Sequence, residues 1–186
     1  MTSIQSRINQ VLNETSDMQI GQRNGFGLYN MGNSEVIFSG GMRVGSSPAN
    51  YTREGFQIFD RQKLEQLLKE KEHKPSDCWM MCKIGQVHLM VRDGTEEPHG
   101  LVNIEIDKKF KGQNWGRKVI DCLLAYVRKN NTRLAIMDIK KSAAPFWMKM
   151  GIVMTKGDVL ANPDAPVFKN ITEIRKHRGY IGGYLE

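Results

Sequence analysis

Residues 100–151 constrain this chain more than any other stretch. Residues 101–107 (LVNIEID) alternate apolar and polar, the period-two pattern of a strand with one covered face. A basic loop follows over residues 108–118 (KKFKGQNWGRK), carrying Gly112 and Gly116. Val119, Ile120, Leu123, Leu124 and Val127 then form one stripe of an amphipathic helix, which ends at Asn130 and Asn131. Residues 134–139 (LAIMDI) are nearly all apolar, as in a strand covered on both faces. Strand, helix and strand in this order predict a parallel pair joined by a crossover helix.

The loop before that helix therefore lies at a helix N-terminus. There the first amides lack intrahelical partners and carry the positive end of the helix dipole. With small residues admitting a ligand close to the backbone, such a corner suits a phosphate. Lys108, Lys109, Lys111, Arg117 and Lys118 raise the local positive potential further. The loop closes Gly116-Arg117-Lys118, which is not the Gly-Lys-Ser/Thr of a P-loop. It also lacks the G-x-G-x-x-G of a dinucleotide fold.

Two segments resemble the GNAT superfamily of acyl-CoA N-acyltransferases. That family's pyrophosphate loop reads R/Q-x-x-G-x-G/A, and Lys111-Gly112-Gln113-Asn114-Trp115-Gly116 lies over it, with Lys for Arg and Asn114 for the middle Gly. Asn tolerates left-handed backbone better than other non-glycine residues, so the second change is mild. The family's N-x-x-A-x-x-F-Y-x-x-x-G-F segment is matched by residues 140–152 (KKSAAPFWMKMGI), with Lys140 at the family Asn and Trp147 at the family Tyr. The resemblance covers roughly residues 100–156. It implies one α+β GNAT-like domain over residues 1–186: a mixed, mostly antiparallel sheet with one parallel βαβ unit and flanking helices.

The same resemblance implies acetyl-CoA, or another acyl-CoA, as co-substrate. Gln113, Asn114, Trp115, Gly116, Arg117 and Lys118 would cradle its pyrophosphate together with Lys111 and Gly112. Backbone groups around Ile106, Asp107 and Lys108 would hold the pantetheine arm and polarise the thioester. Lys140 would reach the cofactor or simply meet solvent.

Amide formation also needs a free amine. At pH 7 only about one alkyl amine in a few thousand is unprotonated, so a base, often acting through water, is the natural device. His99, Leu101, Asn103, Glu105 and Asp107 alternate onto one face of the strand before the loop, with Val102, Ile104 and Ile106 on the other. Glu105 is the first candidate base, since related enzymes often carry a Glu on this strand, and His99 is the second. His88, in an apolar strand, reads as a hydrogen-bonded core residue. Trp147 has no titratable proton to give a departing thiolate. An alkyl thiolate at pH 7 is unfavourable by only ~2 kcal/mol, so it can leave without an acid.

The length of 186 residues suits one domain with a sizeable core. Hydrophobic residues at 40% and charged residues at 25% fit a soluble globular protein, and no apolar run reaches membrane-span length. Cys78, Cys82 and Cys122 match no zinc spacing, so free thiols, no metal and a cytoplasmic setting are expected, with Cys122 packed in the core. The net charge of +7 favours acidic partners: CoA phosphates, nucleic acid or an anionic surface. The acceptor is left as a small amine, a protein amine or an aminoacylated RNA. A homodimer stays open. The competing reading is a catalytically silent GNAT-like domain serving as a structural or nucleic-acid- or protein-binding module.

Elsewhere the patterns predict a helix over residues 2–13, a hairpin of 26–29 with 35–38 around Gly32-Asn33, and a loop over 46–52. A helix follows over 60–73, capped by Asp60 and stapled by Phe59 and Leu64. Residues 78–83 and 86–92 read as two strands turning at Ile84-Gly85. Residues 152–156 read as a strand, Val167-Phe168 as a late strand, 171–177 as a turn or two of helix, and 179–186 as a tail.

Overall fold

The computed structural model describes residue 6 and residues 35–45, 50–70, 75–93 and 98–186. The expected helix over 2–13, the first arm and turn of the hairpin, and most of the loop over 46–52 lie outside the described residues.

Among the described residues, seven strands form one sheet in the order β1-β2-β3-β4-β5-β7-β6. The strands are β1 (Val36–Gly45), β2 (Tyr51–Asp60), β3 (Lys83–Arg92), β4 (Pro98–Ile106), β5 (Leu134–Ile136), β6 (Val153–Thr155) and β7 (Gly182–Leu185). The helices are α1 (Arg61–Glu70), α2 (Pro75–Cys82), α3 (Trp115–Asn130), α4 (Ala144–Lys149) and α5 (Ile171–Lys176). Only β4 and β5 pair in parallel, joined through α3 as the crossover; the other neighbours are antiparallel.

The stripe Val119, Ile120, Leu123 and Val127 of α3 packs with Cys122 onto Val87, Leu89, Leu101, Leu134 and Ile136, which forms the main core. A second, smaller core gathers Ile37, Phe59, Leu64, Leu67, Leu68, Cys78 and Cys82 under α1 and α2. Asp60 caps α1, its Oδ1 accepting from the Lys63 amide at 3.1 Å. Phe59 and Leu64 meet in the second core, as a staple should.

Several expectations are corrected. Residues 78–82 are helical: Pro75 opens α2, Asp77 sits in its first turn, and Cys78 and Cys82 are buried while Met80 and Met81 between them are exposed. A short apolar run cannot by itself separate helix from strand, and helical spacing decides here. Ile84-Gly85 is no turn but part of the continuous β3. A Cβ at Gly85 would collide with the Glu105 carbonyl oxygen, so this glycine serves the close approach of β3 and β4. Tyr51 and Thr52 belong to β2, a strand the sequence reading did not foresee. The expected strand over 134–139 stops at Ile136, and the tail supplies β7, inserted between β5 and β6. Val167 reaches the sheet only by a single bridge to Thr155.

The simple alternation of β4 also fails. Its register against β3 skips Val102 and then His99, so the strand carries two bulges. Asn103 and Glu105 remain on the polar face, but Leu101 turns into the main core beside Ile104 and Ile106.

Candidate functional site

β4 and β5 run together only briefly. Gly100 pairs with Ala135 and Leu101 with Ile136, and the Met137 amide still donates to the Leu101 carbonyl at 2.9 Å. After that the strands part. Asp138 adopts a left-handed backbone, φ +47°, its amide donating to Tyr180 Oη at 2.6 Å, while the Ile139 amide donates to the Ile181 carbonyl at 2.8 Å. These two bonds draw the chain towards β7 and away from β4, which continues to Ile106.

Among the described residues, the parting leaves backbone groups of β4 without a strand partner on one side. The Asp107 amide donates to the Ile84 carbonyl at 2.9 Å on the β3 side. Strand alternation then directs N–H and C=O of Ile104 and Ile106 the other way, into the gap. The Asp107 amide, expected to hold a ligand, is therefore already used within the sheet.

The gap is a cavity of about 520 Å³ whose walls include Arg53, Asn103, Ile104, Lys140 and Trp147. Phe146 belongs both to this cavity and to a second, of about 340 Å³, formed by Lys111, Gly112, Asn114, Gly116, Arg117 and Lys149 among others. The two are therefore neighbours, the first between the parted strands and the second at the start of α3.

The loop holds its shape through two left-handed residues, Gly112 at φ +80° and Asn114 at φ +62°. The Gln113 side chain donates back to the Lys109 carbonyl at 3.2 Å. Asn114 is the N-cap of α3 and makes no side-chain cap bond; the Lys118 amide bonds the Asn114 carbonyl at 3.1 Å. The amides of Trp115, Gly116 and Arg117 precede that first intrahelical bond, and among the described residues no backbone acceptor serves them. Among the described residues a Cβ at Gly116 would have only Phe146 Cζ near it, at 4.0 Å, so the glycine keeps this corner open.

The basic residues around the loop divide. Lys111 and Arg117 line the α3 cavity, as does Lys149, which the sequence reading missed because it falls in a later helix. Lys118 is engaged elsewhere, with Nζ 2.7 Å from Glu35 and 4.2 Å from the Trp115 ring centroid. Trp115 is buried in the main core rather than displayed on the loop. Lys108 lies in a short 3-10 turn after β4, and Lys140 stands exposed at the gap.

Of the two candidate bases, Glu105 lies on the polar face of β4, two residues from Asn103 in the gap wall. Gln86 Nε2 donates to its Oε2 at 2.8 Å and so orients the carboxylate. His99 sits far along the same strand, roughly 20 Å by strand rise. It borders a separate cavity with Arg133 and Tyr184 and packs edge-on against Tyr51 at 5.7 Å. Its bulge moves it out of line with Glu105. His88 is half-buried on the polar face, opposite Asn103, and its Nδ1 is 3.0 Å from Arg53 Nη2. Trp147 packs against the main core and edge-on against Phe146 at 5.2 Å, and forms part of the gap wall. No helix among the described residues is long and apolar enough to cross a membrane.

Among the described residues the fold is α+β: a mixed sheet with one parallel pair that parts beside a glycine-bearing helix start. No family model matches the chain, and no curated protein matches it. Among solved structures it is similar to an acetyltransferase from Thermus thermophilus, at 12% identity and TM-score 0.39 over 98% of this chain and 92% of that one. It is similar also to a GNAT-family acetyltransferase from Staphylococcus aureus, at 14% identity and TM-score 0.37 over 72% of this chain and 66% of that one. A tandem GNAT protein from the clavulanic acid biosynthesis pathway matches at 11% identity and TM-score 0.36 over 59% of this chain. The chain spans 31% of that tandem protein's length.

Proposed function

We propose that the chain is a CoA-dependent N-acyltransferase that passes an acyl group, most simply acetyl, from the CoA thioester to an amine. The observation that carries this reading is the adjacency of the two cavities. One offers cations and, among the described residues, amides that no backbone acceptor serves for a diphosphate at the start of α3, and the other offers strand backbone that no described strand pairs where β5 leaves β4. A long ligand with a phosphate end and an amide-bearing arm can engage both.

In this arrangement the amides opening α3, with Lys111, Arg117 and Lys149, take the pyrophosphate. Ile104 and Ile106 extend the sheet to the pantetheine arm, and the thioester reaches the gap. The amine nitrogen attacks the carbonyl carbon, the C–S bond breaks, and the sulfur leaves as thiolate. Glu105 accepts the proton lost by the amine through a water, and solvent protonates the thiolate. The products are an amide and free CoA. Glu105, oriented by Gln86, is the base on this reading, and His99 is not used.

The test is thiol release from acetyl-CoA in the presence of a panel of primary amines. Amine-dependent release above the hydrolysis rate is expected. Release that no amine accelerates would leave the silent binding module as the better reading.

A further inference from the structure

The gap cavity is reached from the polar face of the sheet, where β2 contributes one charged wall residue, Arg53. Its side chain leans along that face to His88 on the neighbouring strand. Gly55, the register partner of His88, leaves the space for this: a Cβ there would lie 3.2 Å from His88 Cδ2. The contact occupies one hydrogen of Nη2. Arg53 Nε is buried, and no hydrogen-bond partner is found for it among the described residues. A buried guanidinium N–H without an acceptor is costly, and it is well matched to a carboxylate.

We infer that the acceptor amine also carries a carboxylate, received by the Arg53 guanidinium where it lines the gap. The inference rests on the acyltransferase reading and names its substrate class. An arginine guanidinium is a cation with donor hydrogens only, so this end of the site calls for an anion. Asp138 lies in the cavity wall with Arg53 and Lys140, so a dianionic phosphate is repelled there more strongly than a single carboxylate. Glu105 lies on the same sheet face as Arg53, across β3. Strands are spaced about 4.8 Å apart and residues about 3.3 Å along them, so a short amino acid spans from the guanidinium to the base. The ammonium end then faces Glu105, which lowers the cost of holding both charges before the proton is lost.

Thiol release from acetyl-CoA is measured with matched amine pairs: α-, β- and γ-amino acids, each against its own amide. The wild-type protein should favour the carboxylate member by about 10–100-fold in kcat/KM, the range a charge-assisted hydrogen bond commands. Arg53→Gln should bring that ratio close to one, chiefly through KM, and Arg53→Lys should keep part of it. Thermal unfolding with the preferred amino acid gives a second readout that needs no turnover: a raised Tm in wild type, reduced in Arg53→Lys and lost in Arg53→Gln, read in whichever variant folds. Equal rates within every pair would overturn the carboxylate inference while leaving the acyltransferase reading intact. Release with no amine of either kind would overturn both.

Discussion

The Arg53 guanidinium donates from Nη2 to His88 Nδ1 at 3.0 Å. Arginine can only donate, so Nδ1 must accept, and the neutral ring carries its hydrogen on Nε2. Burial pushes the imidazole pKa below its ordinary value and the Arg53 charge adds to this, while Glu105 opposes both. His88 should therefore titrate below about 6.5. The unfolded chain takes up a proton near pH 6.5 that the folded chain refuses. The stabilising contribution is full above that pH and is lost as pH falls through the lower folded value. An NMR titration of the His88 ring checks this; a midpoint above the ordinary value would contradict it.

Gly116→Leu separates fold from binding. The position is in α3, where leucine is the better helix former by up to about 1 kcal/mol, and among the described residues a Cβ meets only Phe146. Stability without ligand should be unchanged or slightly raised. The side chain fills the α3 cavity, so the acetyl-CoA-induced rise in Tm should disappear. A full rise in the variant would place the ligand elsewhere.

Gly112→Ala should act in the opposite sense. Among the described residues nothing lies within 4 Å of a Cβ there, so the cost is backbone strain at φ +80°, about 1–2 kcal/mol. Chemical denaturation should show that loss. A neutral result would mean the loop relaxes to another conformation.

These two glycines illustrate how much could be read from the sequence. The loop, the α3 stripe and the crossover were legible because period and glycine placement act locally. Asn114 fills the left-handed position expected of it. The parting of β5 from β4 was not legible, because Leu134–Ile136 and the residues after it share one apolar run, and the turn away depends on Tyr180 in the distant tail. The bulges of β4 were equally hidden, since they are set by register against β3, and they carry His99 away from Glu105. α2 was misread through an apolar run too short to fix a period, although Pro75 marked its start. Arg53 had no local signal; its place depends on the pairing of β2 with β3.

Tyr180→Phe tests that remote contribution. It removes the acceptor for the Asp138 amide, a bond worth about 1 kcal/mol. For a chain of this size Tm should fall by about 2–4 °C. Hydrogen exchange at the Asp138 amide should accelerate. Unchanged exchange would mean that the Ile139–Ile181 bond alone holds the strands apart.

Glu105→Gln keeps the size of the side chain and an oxygen to accept from Gln86, but it cannot take a proton. Turnover should fall by about 10²–10⁴ with little change in acetyl-CoA affinity. Steady-state kinetics with the best amine decides this, and unchanged kcat would remove Glu105 from the mechanism.

The most direct test of the account is thermal unfolding of the full chain with and without acetyl-CoA. Binding at the start of α3 and in the gap predicts stabilisation of about 2.7 kcal/mol at 100 times the dissociation constant, increasing with further ligand. A Tm indifferent to millimolar acetyl-CoA would contradict it.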